Sequence, residues 1–259
     1  MAGFGYFCVN LILFDTHELT GVLPRSDPRA EHVLSVLRRQ PGDLFDVGLV
    51  NGPRGKGRLE AVSDDGISLS FEWGPPLPLL PSLRVCLGLP RPQTSRKILQ
   101  ELTTLGASEL HFVTTERGEP QYAQSTLWSS GEWRRHVLAG AAQAFDTRLP
   151  EVTWGRSLAD VVAASIRQSG VAGAGSPSDG SHCWALDNYE AAGPLSEITL
   201  PRFSSVTLAL GPERGWGPTD RKCLRDHGFQ LVHLGERVLR AETAAVAALA
   251  IISAKRGFM

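Results

Sequence analysis

Four prolines fall within the eight residues Gly74–Pro81 (Gly-Pro-Pro-Leu-Pro-Leu-Leu-Pro). Proline fixes φ and lacks an N–H, so this stretch cannot lie in a helix or a central strand and reads as a stiff, extended linker. It divides the 259 residues into a leading domain over 1–73, a linker over 74–82 and a trailing domain over 83–259. With 42% hydrophobic and 20% charged residues, the chain has a globular composition, which excludes a disordered or fibrous protein.

Before the prolines, the pattern is that of short strands. Leu44–Val50 and Arg58–Val62 flank a turn-rich Asn51-Gly-Pro-Arg-Gly-Lys-Gly57, and Ile67–Trp73 alternates after Asp64-Asp65-Gly66. Phe7–Phe14 adds an apolar strand, and Pro28–Arg39 is predicted as one helix with Val33, Leu34, Val36 and Leu37 on its apolar side. The expectation for this part is a small β-barrel.

After the prolines, the period changes. Leu83–Leu89, Glu109–Val113, His182–Leu186, Val206–Leu210 and Gln230–His233 read as strands. Between and after them, Ser95–Leu105, Glu132–Ala144, Leu158–Gln168, Thr219–His227 and Glu242–Ala254 read as helices. Strand–helix alternation predicts an α/β domain with a parallel sheet covered on both faces. The Gly/Ser/Ala-rich Ser169–Ser181 reads as a surface loop within it.

The net charge of −1 announces no polyanion partner, but its distribution is uneven. Leu200–Met259 carries nine Lys/Arg against five Asp/Glu, whereas Val161–Thr199 carries one against four, so an anionic ligand is expected to draw on the C-terminal part. Four widely separated cysteines make neither a disulfide framework nor a zinc site, and point to reduced thiols in the cytoplasm. The apolar N-terminus lacks a basic region and a small-residue cleavage site, so it is read as a strand and not as a leader. The apolar run Ala244–Ile252 is too short to span a bilayer.

Two segments can carry chemistry. Gly211-Pro-Glu-Arg-Gly-Trp-Gly-Pro218 begins where an apolar strand ends, and the crevice past the carboxyl ends of parallel strands is where ligands lie. It lacks the Gly-Lys-Ser/Thr of a phosphate loop, and a plain strand–helix turn capped by Thr219 is the alternative. Leu234-Gly-Glu-Arg-Val-Leu-Arg-Ala-Glu-Thr-Ala244 also follows a strand, and it places Arg240 and Glu242 at a helix N-terminus, where backbone N–H groups are unpaired.

Together, Gly211-Pro-Glu-x-Gly215 and Leu234-Gly-x-Arg-x-Leu-Arg-x-Glu-Thr-Ala244 resemble the two signature loops of SPOUT-superfamily RNA methyltransferases, and more narrowly of the 16S ribosomal RNA (uracil-N3)-methyltransferases. His32-x-x-x-Val36-Leu-Arg38 with Gly42-Asp43 is similar to that family's PUA-like module. Ile98–Gly106, Thr115-Glu116-Arg117, and Gln143 with Arg148-Leu-Pro150 fall in the family's order. The resemblance implies a SPOUT-type parallel-sheet domain with a trefoil knot behind a PUA-like β-barrel, a homodimer, and S-adenosylmethionine as cofactor without a metal or a membrane; the small side chains of Glu242–Ala254 make that helix the candidate seam, with a buried helix inside one subunit as the alternative. The implied substrate is 16S ribosomal RNA or the 30S particle.

By the same carry-over, Leu210, Gly211, Pro212, Gly215, Leu234, Gly235, Val238, Leu239 and Thr243 hold the cofactor. Arg240, seconded by Arg237, is the expected uracil-stabilising cation, and Glu213 or Glu242 is expected to accept the N3 proton or else to orient Arg240. Arg38, Arg54, Lys56, Arg58, Arg117 and Arg148 are the expected RNA contacts, the glycines around Lys56 letting the backbone follow a strand of RNA. The chain departs from the family's pattern at Arg214, where glycine is usual, at Asp146, where arginine is common, and in having Arg91 and Arg96 near a lysine that is absent. A SPOUT enzyme acting on another RNA or base atom, and a non-catalytic ribosome-assembly protein, are the alternatives.

Overall fold

The computed structural model describes residues 11–168 and 182–259, so Phe7–Asn10, Cys8 and the Ser169–Ser181 loop lie outside the described residues. The chain forms two compact units. One holds the described residues through Leu79 together with Ala141–Leu149, and the other holds Leu80–Gly140 and Pro150–Met259.

The first unit is a curled five-stranded sheet of β1 (Ile12–Phe14), β2 (Val22–Pro24), β3 (Leu44–Leu49), β4 (Arg54–Val62) and β5 (Gly66–Trp73), in the order β1-β3-β4-β5-β2. The pairing is antiparallel except that β1 runs parallel to β3. Phe14, Val33, Phe45, Val47, Leu59 and Ile67 form its core. Thr147 belongs here too: its N–H and C=O face Asp146 and Asn51, and its hydroxyl donates to the Gly52 carbonyl at 2.5 Å. By chain order alone 141–149 fall in the trailing domain; tertiary contacts group them with the first unit.

Two expectations are corrected in this unit. The Pro28–Arg39 helix is α-helical only over α1 (Pro28–Glu31), which Asp27 starts by accepting the Arg29 N–H at 2.8 Å. The chain then widens into a π-turn at His32–Val36, Leu37 N–H bonding to the His32 carbonyl, and Arg38 is left-handed at φ 53°. Val33 is thereby buried while Val36 is 60% exposed. The second correction concerns Arg54–Gly57, which is already strand: the turn is Val50–Pro53, closed by Leu49 N–H to the Pro53 carbonyl. A Cβ on Gly55 would lie 2.2 Å from the Glu72 carbonyl oxygen, and one on Gly57 would crowd Val47 and Phe45. Close strand packing explains these glycines.

The second unit is a seven-stranded, wholly parallel sheet. Its strands are β6 (Leu83–Gly88), β7 (Glu109–Thr114), β8 (Glu151–Ser157), β9 (His182–Leu186), β10 (Gly193–Pro194), β11 (Val206–Leu210) and β12 (Gln230–His233), in the order β10-β12-β9-β11-β6-β7-β8. The helices are α2 (Pro92–Thr104), α3 (Thr126–Ser129), α4 (Glu132–Gln143), α5 (Leu158–Gln168), α6 (Pro218–Asp226) and α7 (Ala241–Lys255). On one face α5 and α6 bury Leu158, Val162 and Leu224 with Cys86, Ala185 and Ala209 of the strands; α2 packs against α7. The central β11 is apolar and entirely buried, as expected of a parallel strand covered on both faces. β11 lies between β9 and β6, so chain-distant loops gather at their carboxyl ends.

Candidate active site

β11 delivers Leu210 to the end of the sheet, and the chain turns back at once. Gly215 N–H closes the turn onto the Pro212 carbonyl at 2.8 Å, with Gly215 left-handed at φ 68°. A Cβ at Gly211 would lie 3.1 Å from the Gly215 backbone, so the small residue lets the turn fold on itself. The buried Trp216 follows and donates from Nε1 to the Leu186 carbonyl at 2.9 Å, tying this loop to the end of β9. α6 then begins in a reciprocal arrangement: Asp220 accepts the Glu116 and Gly217 N–H groups, and Glu116 Oε2 accepts the Thr219 N–H.

The second loop leaves β12 at Leu234, turns at Gly235 (φ 113°) and ends at Arg240, whose backbone is extended just before α7. The Arg240 side chain makes no cap, and its guanidinium has no hydrogen bond or ion pair among the described residues. Both loops face one cavity of about 830 Å³. Leu210, Gly211, Pro212, Glu213, Gly215, Leu234, Arg237, Val238, Leu239, Arg240 and Glu242 all line it. Gly235 and Thr243 do not: the glycine shapes the turn, and Thr243 is exposed on α7.

The remaining wall comes from residues that neither signature loop contains. Leu186 and Asn188 enter from the end of β9, and Arg91, Gln93, Thr94 and Lys97 from the start of α2. The signal was strand order, which no single segment carries. Two of these cations hold the cavity's carboxylates: Glu213 Oε1 accepts from the Arg91 N–H at 3.1 Å, and Lys97 Nζ lies 3.4 Å from Glu242 Oε1. The N–H of its own residue, the Lys97 ammonium and the Arg240 charge hold the Glu242 carboxyl below its ordinary range. A carboxylate of lowered basicity is a poor proton acceptor and a good anchor for cations. Arg91, Lys97, Arg237 and Arg240 against Glu213 and Glu242 leave the cavity net positive.

The six expected RNA contacts lie outside this cavity. In the first unit Arg38 is exposed, Lys56 pairs with Asp46 at 2.7 Å, and Arg58 donates to the Gly42 carbonyl. Arg54 donates to the Phe145 carbonyl and stacks over its ring at 5.5 Å. Arg148, which the structure groups with the first unit, is bound to Asp146, so the acidic departure at 146 is neutralised within its own loop. In the second unit Arg117 donates to the Arg214 carbonyl. Among the described residues there is no cluster of three or more metal-ligating side chains, and no helix is long and apolar enough to cross a membrane.

The model of the RNA methyltransferase domain family matches residues 76–253. The chain belongs to this family. Its methyltransferase domain and the preceding unit together are 32% identical to the ribosomal RNA small subunit methyltransferase E of Treponema pallidum, over 95% of this chain and 91% of that one. Identity to the ribosomal RNA small subunit methyltransferase E 1 of Borreliella burgdorferi is 25%, over 95% and 98%. The methyltransferase also shares its fold with two solved structures. The probable rRNA-methyltransferase of Porphyromonas gingivalis superposes with a TM-score of 0.74 (19% identity, 95% and 99% covered). The ribosomal RNA small subunit methyltransferase E of Neisseria gonorrhoeae, bound to S-adenosyl methionine, gives 0.70 (20%, 94% and 97%).

Proposed function

We propose that this chain transfers a methyl group from S-adenosylmethionine to N3 of a uridine in 16S ribosomal RNA, free or in the 30S particle. The observation that carries the reading is the meeting of two chain-distant glycine turns in one cavity, with Arg240 on its wall. The cavity suits the cofactor: about 830 Å³ is within the usual size of small-molecule sites, its apolar side chains suit an adenine, and its cations suit a carboxylate. Leu210, Gly211, Pro212, Gly215, Leu234, Val238 and Leu239 are the residues that hold it, with Gly235 setting the shape of the second turn. When bound, the cofactor supplies an electrophilic methyl on a sulfonium.

The protein's task is then to present N3 in line and to offset charge arising on the uracil carbonyls. Arg240 is the group for the latter, with Arg237 beside it. N3 is the pairing atom of uracil, so the target base enters unpaired or flipped out. Glu213 and Glu242, each already engaged by a cation, act as anchors of Arg91 and Lys97 more readily than as the proton acceptor, so the N3 proton passes to solvent water as the N–C bond forms and the sulfonium's C–S bond breaks. In this reading the five-stranded unit is a PUA-like barrel that binds RNA through Arg38, Arg54, Lys56 and Arg58, and Arg117 and Arg148 add phosphate contacts. The loops after β11 and β12 belong to a trefoil knot, two copies pair along α7, and the enzyme works in the cytoplasm, where its substrate is.

Calorimetry with S-adenosylmethionine and mass mapping of ribosomal RNA test this. Binding by the purified chain, and loss of one 3-methyluridine from cells lacking it, are expected. Absence of cofactor binding overturns the enzyme, and an unchanged 3-methyluridine signal overturns the assigned base.

A further inference from the structure

The end of β9 is built around one arginine of α6. Arg221 is buried, and its Nε donates to Asp187 Oδ2 at 2.7 Å, the two side chains being 6% and 1% exposed. The other oxygen of Asp187 accepts the Tyr189 and Glu190 N–H groups, both at 2.7 Å. Arg221 also lies 5.6 Å from the Tyr189 ring centroid and 3.6 Å from Glu190 Oε1, and Glu190 is further held by Arg225. Asp187, Tyr189 and Glu190 therefore all meet one guanidinium, and Asn188, which lies between them in the chain, lines the 830 Å³ cavity. One residue earlier, the Leu186 carbonyl is pinned by Trp216 Nε1.

We infer that Arg221 is a positioning residue of the cofactor site: it fixes the Leu186–Asn188 wall from behind without touching the ligand, and Trp216 fixes the same wall from the first glycine turn. A fully desolvated ion pair is an expensive way to hold a surface turn, and hydrophobic replacements often stabilise as well or better. What a directed carboxylate adds is orientation: one oxygen gathers two backbone N–H groups while the other is locked to the guanidinium, so the Asn188 side chain is presented in one place. The inference rests on the cofactor reading above.

The test is a double-mutant cycle read by calorimetric affinity for S-adenosylmethionine, with the thermal midpoint recorded alongside. Asn188→Ala and Arg221→Met are each expected to weaken binding about tenfold, and the double variant to be no weaker than either single one. Arg221→Lys, which keeps the charge but not the planar fork, is the milder variant. It is expected to weaken binding several-fold, less than Arg221→Met, and it decides the matter if Arg221→Met does not fold. If wild-type protein binds the cofactor and the folded variants bind it equally well, or if the effects add, Arg221 merely stabilises α6 and the inference fails. If wild-type protein does not bind, the cofactor reading itself has failed.

Discussion

Glu213 and Arg91 are joined through a single oxygen: Oε1 accepts the Arg91 backbone N–H at 3.1 Å and lies 3.5 Å from Arg91 Nε. The contact fastens the turn after β11 to the residue that starts α2, which is the work of a loop anchor. Glutamine keeps an oxygen acceptor of the same reach. Glu213→Gln is therefore expected to keep kcat within about tenfold, whereas loss of a general base costs about 10²–10⁴-fold. Single-turnover methyl transfer across a pH series checks this; a loss of a thousandfold would make Glu213 the proton acceptor.

Arg240 and Arg237 both line the cavity with no hydrogen-bond or ion-pair partner among the described residues; Arg240, whose charge also reaches Glu242, is the proposed partner of the charge that develops during reaction. Arg240→Ala should lower kcat by about 10²–10³-fold, the usual cost of removing one stabilising donor. Cofactor affinity should stay within about tenfold, or 1.4 kcal/mol. Calorimetry beside single-turnover kinetics separates the two effects, and equal losses in both would assign Arg240 a structural part.

The last residue of β6 tests how tightly the first turn is seated. A Cβ on Gly88 would stand 2.3 Å from Pro212 Cδ and 2.5 Å from the Pro212 nitrogen. Gly88→Ala must displace Pro212, at a cost of about 1–3 kcal/mol in overpacking. A lower thermal midpoint together with weaker cofactor binding is expected, since the displaced residue lines the cavity. An unchanged midpoint would mean that the turn yields freely.

Acid should weaken the first unit. Side-chain hydrogen bonds from Arg29 hold the Glu18 and Asp27 carboxyls below their ordinary values of 4.5 and 3.8. A pKa depressed in the folded state means that the unfolded chain binds more protons as acid is added. The stabilisation is whole above the ordinary carboxylate range and is lost as pH falls through the lower, folded values. Urea midpoints between about pH 5.5 and 3 should fall for the wild type and fall less steeply for Arg29→Met. Equal slopes would show that Arg29 does not set this dependence.

Much of the second unit was readable from residue spacing. Ile98, Leu99 and Leu102 mark the buried face of α2, and the unbroken Val206–Leu210 run marks a strand covered on both sides. β8 was missed because Gly155, left-handed at φ 77°, interrupts its alternation near a register shift against β7. β10 is two residues that become strand only by pairing with β12. The π-turn at His32–Val36 likewise answers to tertiary packing, which needs Val33 inside. In the site, the two glycine turns were legible because each directly follows an apolar strand. Lys97 and Asn188 were not: nothing local tells a helix start or a strand end which distant loop it will face.

Segment Ala141–Leu149 has a practical consequence. A fragment ending at Leu79 would lack Thr147, whose hydroxyl meets the Gly52 carbonyl, and the Leu149 N–H that meets Asn51 Oδ1. A fragment starting at Leu80 would carry nine residues stripped of those partners. Chimeras between related enzymes must accordingly exchange this inner stretch along with the leading one, and a splice made at the prolines alone would graft an incomplete module.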